Sequence, residues 1–141
     1  MIAVDTNVLL RYLLDDDKAQ SPKAAKLIEG RQPVLITDTV LVETIWTLKG
    51  RKYKQGKAAL IAVIQSLFEE PNVRFEDGQT VWVALSEYRA AKPVRGKGVD
   101  FADALIASKA KAVASNLGES LKGVYTFDVA AQQLPGMRSP K

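Results

Sequence analysis

Along this chain, short apolar runs ending in acidic or small polar residues alternate with longer stretches of helical spacing. The first run, Met1-Ile2-Ala3-Val4, stops at Asp5-Thr6-Asn7, which predicts a strand that delivers Asp5 to its carboxyl end. A run without polar alternation predicts a strand covered on both faces, as in a parallel sheet flanked by helices, where ligands bind outside the strand ends. Asp5 is also a good N-cap for a helix over Val8 to Leu14, in which Val8, Leu9, Tyr12 and Leu13 share a face. Asp15-Asp16-Asp17 reads as a solvated turn, and Ser21-Pro22 as a helix start with Pro at the first helical position, closed by Gly30.

Pro33-Val34-Leu35-Ile36 predicts a second strand, followed by a helix over Val40 to Lys49. In that helix Glu43 stands among Val40, Leu41, Val42, Ile45, Trp46 and Leu48, on or beside the apolar face. A cap at Asp38 or Thr39 leaves Glu43 outside the third helical position, so a capping box does not explain it. The next helix, through Leu60, Ile61, Val63, Ile64, Leu67 and Phe68, is apolar beyond one stripe, so it is central to the core or meets another chain. Asn72 to Phe75 predicts a third strand, and Gln79 to Ala91 a helix with Val81, Trp82, Leu85 and Tyr88 inward. Lys92 to Gly98 reads as a flexible basic loop.

In Val99-Asp100-Phe101-Ala102-Asp103-Ala104, Asp100 is a helix cap and Asp103 falls at the third helical position, with Val99, Ile106 and Ala107 as neighbours. Ala112 to Gly123 is less regular. Val124-Tyr125-Thr126-Phe127-Asp128 then repeats the opening pattern of an apolar strand closed by Asp, and the tail through Leu134-Pro135-Gly136-Met137 offers at most a short final strand. The whole, residues 1–141, is expected to be one domain of the α/β class.

Composition narrows the chemistry more than the class. The chain has no Cys and no His, which excludes disulfides, thiolate or imidazole metal sites, Ser-His-Asp triads and histidine bases. Chemistry must therefore run on carboxylates, Lys, Tyr, hydroxyls or a metal held by oxygen, which points to Mg²⁺ or Mn²⁺. The net charge of +4 favours a polyanionic partner. Arg51, Lys52 and Lys54 around Tyr53, and Arg95 and Lys97 further on, are candidate phosphate contacts. No run is long enough for a membrane span, and a cytoplasmic location is expected.

Asp5 and Asp128 at strand ends, with Glu43 and Asp103 on helices, are expected to converge at one sheet edge. Two carboxylates about 4 Å apart repel by about 4 kcal/mol at an effective dielectric of 20, so such a cluster calls for a cation. A divalent metal there would suit phosphodiester hydrolysis. A non-catalytic module that binds RNA or a protein through the basic face is the competing expectation.

Four pieces carry a family resemblance: Val4-Asp5-Thr6-Asn7-Val8-Leu9, Leu41-Val42-Glu43-Thr44-Ile45-Trp46, Asp100-Phe101-Ala102-Asp103-Ala104-Leu105-Ile106-Ala107 and Tyr125-Thr126-Phe127-Asp128. In this order they resemble the PIN-domain ribonucleases, specifically the VapC-type toxins of type II toxin-antitoxin pairs. The resemblance implies a parallel sheet of about five strands between helices. It also implies a Mg²⁺ or Mn²⁺ site from Asp5, Glu43, Asp103 and Asp128, with Asp100, Asn7 and Thr126 as outer contributors. It further implies a homodimer, an RNA substrate and a small cognate antitoxin. The stretch from Ser115 to Leu121 is longer than the family usually carries before its last acidic strand.

Overall fold

Three parallel strands, β1 (Ile2–Ala3), β2 (Val34–Ile36) and β3 (Val73–Phe75), pair in the order β1-β2-β3, with Ile2 opposite Val34 and Val34 opposite Val73. The computed structural model describes all residues, 1–141. The connections between these strands are helical, as parallel pairing requires. Between β1 and β2 lie α1 (Thr6–Leu14) and α2 (Gln20–Ile28); between β2 and β3 lie α3 (Asp38–Lys49) and α4 (Lys57–Glu69). These elements form the first of two compact units, Met1–Gly78.

The central strand carries the buried positions: Val34 and Ile36 are fully inaccessible, beside Leu9, Ile28, Leu41, Leu48 and Ile64 from the helices. β1 stands at one end of the strand order, with Ile2 half-buried and Ala3 exposed. It is therefore not the doubly covered strand that its apolar run predicts, because lack of alternation reports side-chain type and not the number of neighbours. Pro22 stands at the third helical position of α2, two residues deeper than expected, since the helix begins at Gln20. The first turn tolerates it because amides there have no intrahelical acceptor. Asp17 accepts from the amides of Ala19 and Gln20 at 2.9 and 2.7 Å, which holds its pKa below the usual carboxylate value. The acidic turn is thus a helix entry, with Asp16 paired to Arg11 at 2.6 Å.

The far end of α2 is tied by one side chain. Asn72, just before β3, donates through Nδ2 to the carbonyl oxygens of Ile28 and Gly30 at 3.1 and 2.5 Å. Carbonyls at a helix end have no partner of their own. Asn72→Ala should cost about 1–3 kcal/mol, the usual penalty for leaving such groups unsatisfied, read as a lower urea midpoint with an unchanged slope.

The second unit, Gln79–Lys141, holds most of α5 (Gly78–Ala90), then α6 (Phe101–Asn116), β4 (Val124–Tyr125), a turn of 3₁₀ helix (Ala131–Gln133) and β5 (Met137–Arg138). β4 and β5 pair in parallel as a separate two-stranded sheet. The class is the expected α/β with parallel strands, but the sheet of about five strands is instead one of three and one of two. Phe101, Val81, Ala104 and Ala131 are buried here, and the rings of Tyr88 and Phe101 meet edge to face at 5.9 Å.

Two tryptophans depart from the inner face that the spacing predicts. Trp46 on α3 and Trp82 on α5 are 63% and 53% exposed, whereas Val81, Leu85 and Tyr88 of α5 are buried as expected, together with Ala84. Both helices carry apolar residues around much of their circumference, so packing alone selects the inner face. α6 also continues through Ala112–Asn116, where irregularity was expected, and stops ahead of Gly118 at φ 70°. No helix is long and apolar enough to cross a membrane.

Candidate functional site

The strand-to-helix turn after β1 fixes Asp5. Its Oδ1 accepts the amide of Val8 at 2.9 Å as N-cap of α1, so the capping role is real. One oxygen of a carboxylate given to a cap leaves the other for a second partner. The next residue, Thr6, donates its hydroxyl to Glu43 Oε2 at 2.5 Å, joining the start of α1 to α3. Glu43 is the sixth residue of α3, whose cap is Thr37, accepting from the Val40 amide at 3.3 Å. A capping box is therefore excluded, and Glu43 is exposed and not set in the apolar face. Asn7 is exposed and lines an open groove of about 210 Å³ with Val8, Arg11, Lys23 and Leu27.

In the second unit, four charged side chains of three segments come together. Asp100 and Asp103 form a capping box at the start of α6, with Asp103 Oδ2 accepting the Asp100 amide at 3.2 Å. Val99 and Ala107 beside Asp103 are buried, whereas Ile106 is 55% exposed and does not enclose it. Burial is the largest influence on Asp103 and lifts its pKa above the usual carboxylate value. The charges of Asp100 and Asp128 push the same way, against the Asp100 amide and Lys97.

Asp128 does not end β4; it follows that strand by three residues and lies just ahead of the 3₁₀ turn. Its Oδ1 accepts the Ala131 amide at 3.1 Å, the same three-residue reach that Asp5 makes to Val8. Its own amide donates to Thr126 Oγ1 at 3.0 Å, so Thr126 braces the turn. Asp128 Oδ2 accepts from Lys97 Nζ at 2.9 Å. That bond is the main reason the Asp128 pKa lies below, and the Lys97 pKa above, its ordinary value.

Lys97 is delivered by an ordered turn where a flexible loop was expected. Val94 and Lys97 exchange both backbone hydrogen bonds, at 2.8 and 3.1 Å, around Arg95 at φ 52° and Gly96 at φ 76°. Positive φ at both central residues is the requirement of a type I′ hairpin turn. The other basic stretch, in the first unit, is partly committed as well. Lys52 Nζ lies 5.3 Å from the Tyr53 ring, whose hydroxyl accepts from Arg11 at 3.3 Å; Arg51 and Lys54 are exposed.

Sequence spacing did not reveal Thr6 as the partner of Glu43, or Lys97 as the partner of Asp128. The pairs are 37 and 31 residues apart, beyond any helical or strand period. The one available signal was a hydroxyl directly after a helix-capping acid. No group of three or more acidic side chains forms a ready coordination site. The acids nevertheless fit a hard divalent cation with water completing its shell. All donors are oxygen, and around Asp103 the charges of Asp100 and Asp128 add to the burial that raises its pKa.

The family described as PIN domain matches residues 2–131, which include Asp5, Glu43, Asp100, Asp103 and Asp128. The chain belongs to the PIN domain family. PIN domains are nucleases as a family. Among solved structures, the crystal structure of Mycobacterium tuberculosis VapC20, described as a sarcin-ricin loop cleaving toxin, is similar. It is 24% identical with a TM-score of 0.41, over 94% of this chain and 94% of that chain. Comparison with curated proteins gives no match.

Proposed function

We propose that this PIN-domain chain is a Mg²⁺- or Mn²⁺-dependent endoribonuclease, the toxin of a toxin-antitoxin pair. The observation that carries the reading is Asp103. It is a half-buried carboxylate held above its ordinary pKa beside Asp100 and Asp128, in a chain with neither His nor Cys to do hydrolytic chemistry. Asp5, Glu43, Asp103 and Asp128 are the proposed metal ligands, with Asp100, Asn7 and Thr126 as outer contributors. The cation would supply Lewis acidity toward a phosphoryl oxygen. The chain's own residues do the rest. One acid of the cluster orients an attacking water or accepts its proton. Arg51, Lys52, Lys54, Arg95 and Lys97 hold backbone phosphates and set the register of the RNA.

Residues 1–141 act as one nuclease domain in this reading, and the family match running through both compact units supports it. A small antitoxin would neutralise the enzyme by covering the acids. A homodimer is proposed through the half-buried Ile61, Val63 and Phe68 of α4, in a cytoplasmic setting. Purified protein should cut a mixture of single-stranded and hairpin RNAs in Mg²⁺, stop completely in excess EDTA and recover on addition of Mn²⁺. Cleavage that persists in chelator would overturn the reading. RNA binding without cleavage in either metal would favour the non-catalytic module.

A further inference from the structure

We propose that Lys97 is a resident counter-ion for Asp128 that a divalent cation displaces, and that the displaced ammonium then holds the phosphate of the RNA being cut. The inference rests on the metal-nuclease reading above and goes beyond it by coupling the two ligands through one side chain.

The geometry assigns Lys97 to both partners. Its Nζ lies 2.9 Å from Asp128 Oδ2, while Asp128 Oδ1 is already committed to the Ala131 amide at 3.1 Å. A metal that takes Asp128 through Oδ2 must therefore compete with the ammonium for the same oxygen. Lys97 also feels the charges of Asp100 and Asp103, so one cation answers three acids. The pair is asymmetric: the lysine side chain is 68% exposed and the aspartate 22%. The acid is held in place by Thr126 and Ala131, whereas the lysine stem is free to swing into solvent.

Placement of Lys97 is not left to a loose loop. Arg95 takes φ 52°, a conformation unfavourable for a residue with a Cβ, and the turn closes with two backbone hydrogen bonds. Such a conformation persists only where its surroundings determine it. The turn anchors the backbone of Lys97 while its flexible four-carbon stem lets the charge move. A compact ammonium suits that exchange better than a forked guanidinium, which would grip the carboxylate with two donors.

The exchange predicts effects of opposite sign, which a merely structural salt bridge would not produce. Lys97→Met should tighten Mn²⁺ binding, measured by electron paramagnetic resonance of the free ion, by about 3- to 10-fold, the scale of losing a partly exposed ion pair and its charge. The same variant at saturating Mg²⁺ should raise KM for RNA and lower the log-log salt slope by about 1, one phosphate contact. Lys97→Arg should keep the pair and hold Mn²⁺ at least as weakly as the unaltered protein. Lys122→Met, which removes an equal charge from an exposed site, should change neither quantity. In the unaltered protein, the Lys97 Nζ resonance should lose its paired shift as Mg²⁺ is titrated. If Lys97→Met leaves Mn²⁺ affinity unchanged or weaker while the unaltered protein binds Mn²⁺, the exchange is wrong and the nuclease reading stands. If the unaltered, folded protein binds no Mn²⁺ at all, both fall.

Discussion

Asp103→Asn should abolish metal-dependent RNA cleavage while leaving the protein as stable as before, or more so. Metal-assisted stabilisation of the transition state is worth several kcal/mol, and each ~1.4 kcal/mol is tenfold in rate, so the loss should be roughly 10²- to 10⁴-fold. The fold should survive because Asn keeps a carbonyl oxygen where Asp103 Oδ2 accepts the Asp100 amide, so that arm of the capping box persists. The sign of the stability change follows from the raised pKa. A carboxyl whose folded pKa lies above its unfolded value stabilises the fold below the unfolded value. That contribution is lost as pH rises through the folded value. At neutral pH the charged Asp103 is therefore a burden that Asn lacks. The melting temperature of the variant should equal or exceed that of the unaltered protein at pH 7, and the gap should close as pH falls below the carboxylate range. Activity and thermal melts on the same samples check it. A variant that melts lower and recovers cleavage when refolded would mean that Asp103 is structural.

That trade-off locates what the sequence could disclose. Asp100 and Asp103 sit three apart at a helix start, so their capping geometry was legible from local spacing, as was the cap made by Asp5. The parallel strands and their helical connections were legible too, because period and punctuation are local properties. Three things were not. The inner faces of α3 and α5 depend on what packs against them, so Trp46 and Trp82 turned out exposed. The partners of Glu43 and Asp128 come from distant segments and leave no periodic trace. The division of five short strands into sheets of three and two is a matter of pairing, which two-residue strands such as β1, β4 and β5 specify weakly. Candidate acids were thus readable one at a time, and their distant partners were not.

Phe101→Ala should be the most destabilising single change near these acids. Phe101 is the first residue of α6, is 2% exposed and meets Tyr88 edge to face. Truncating a buried aromatic ring costs about 3–5 kcal/mol through lost transfer energy and the cavity left behind. Against a typical domain stability of about 5–15 kcal/mol, that is a large share of the total. The urea midpoint should fall steeply with an unchanged slope. Ile106→Ala, five residues on in the same helix, removes an apolar side chain that is 55% exposed and should shift stability by no more than about 0.5 kcal/mol. The contrast matters for the site because Phe101 stands between the capping Asp100 and Asp103 in sequence. Its ring anchors the helical turn that presents both carboxylates, so cleavage should fall even at temperatures where Phe101→Ala is still mostly folded. Phe101→Leu, which refills much of the cavity, should recover stability and cleavage together. Recovery of stability alone would show that the aromatic contact with Tyr88 itself aims the acids.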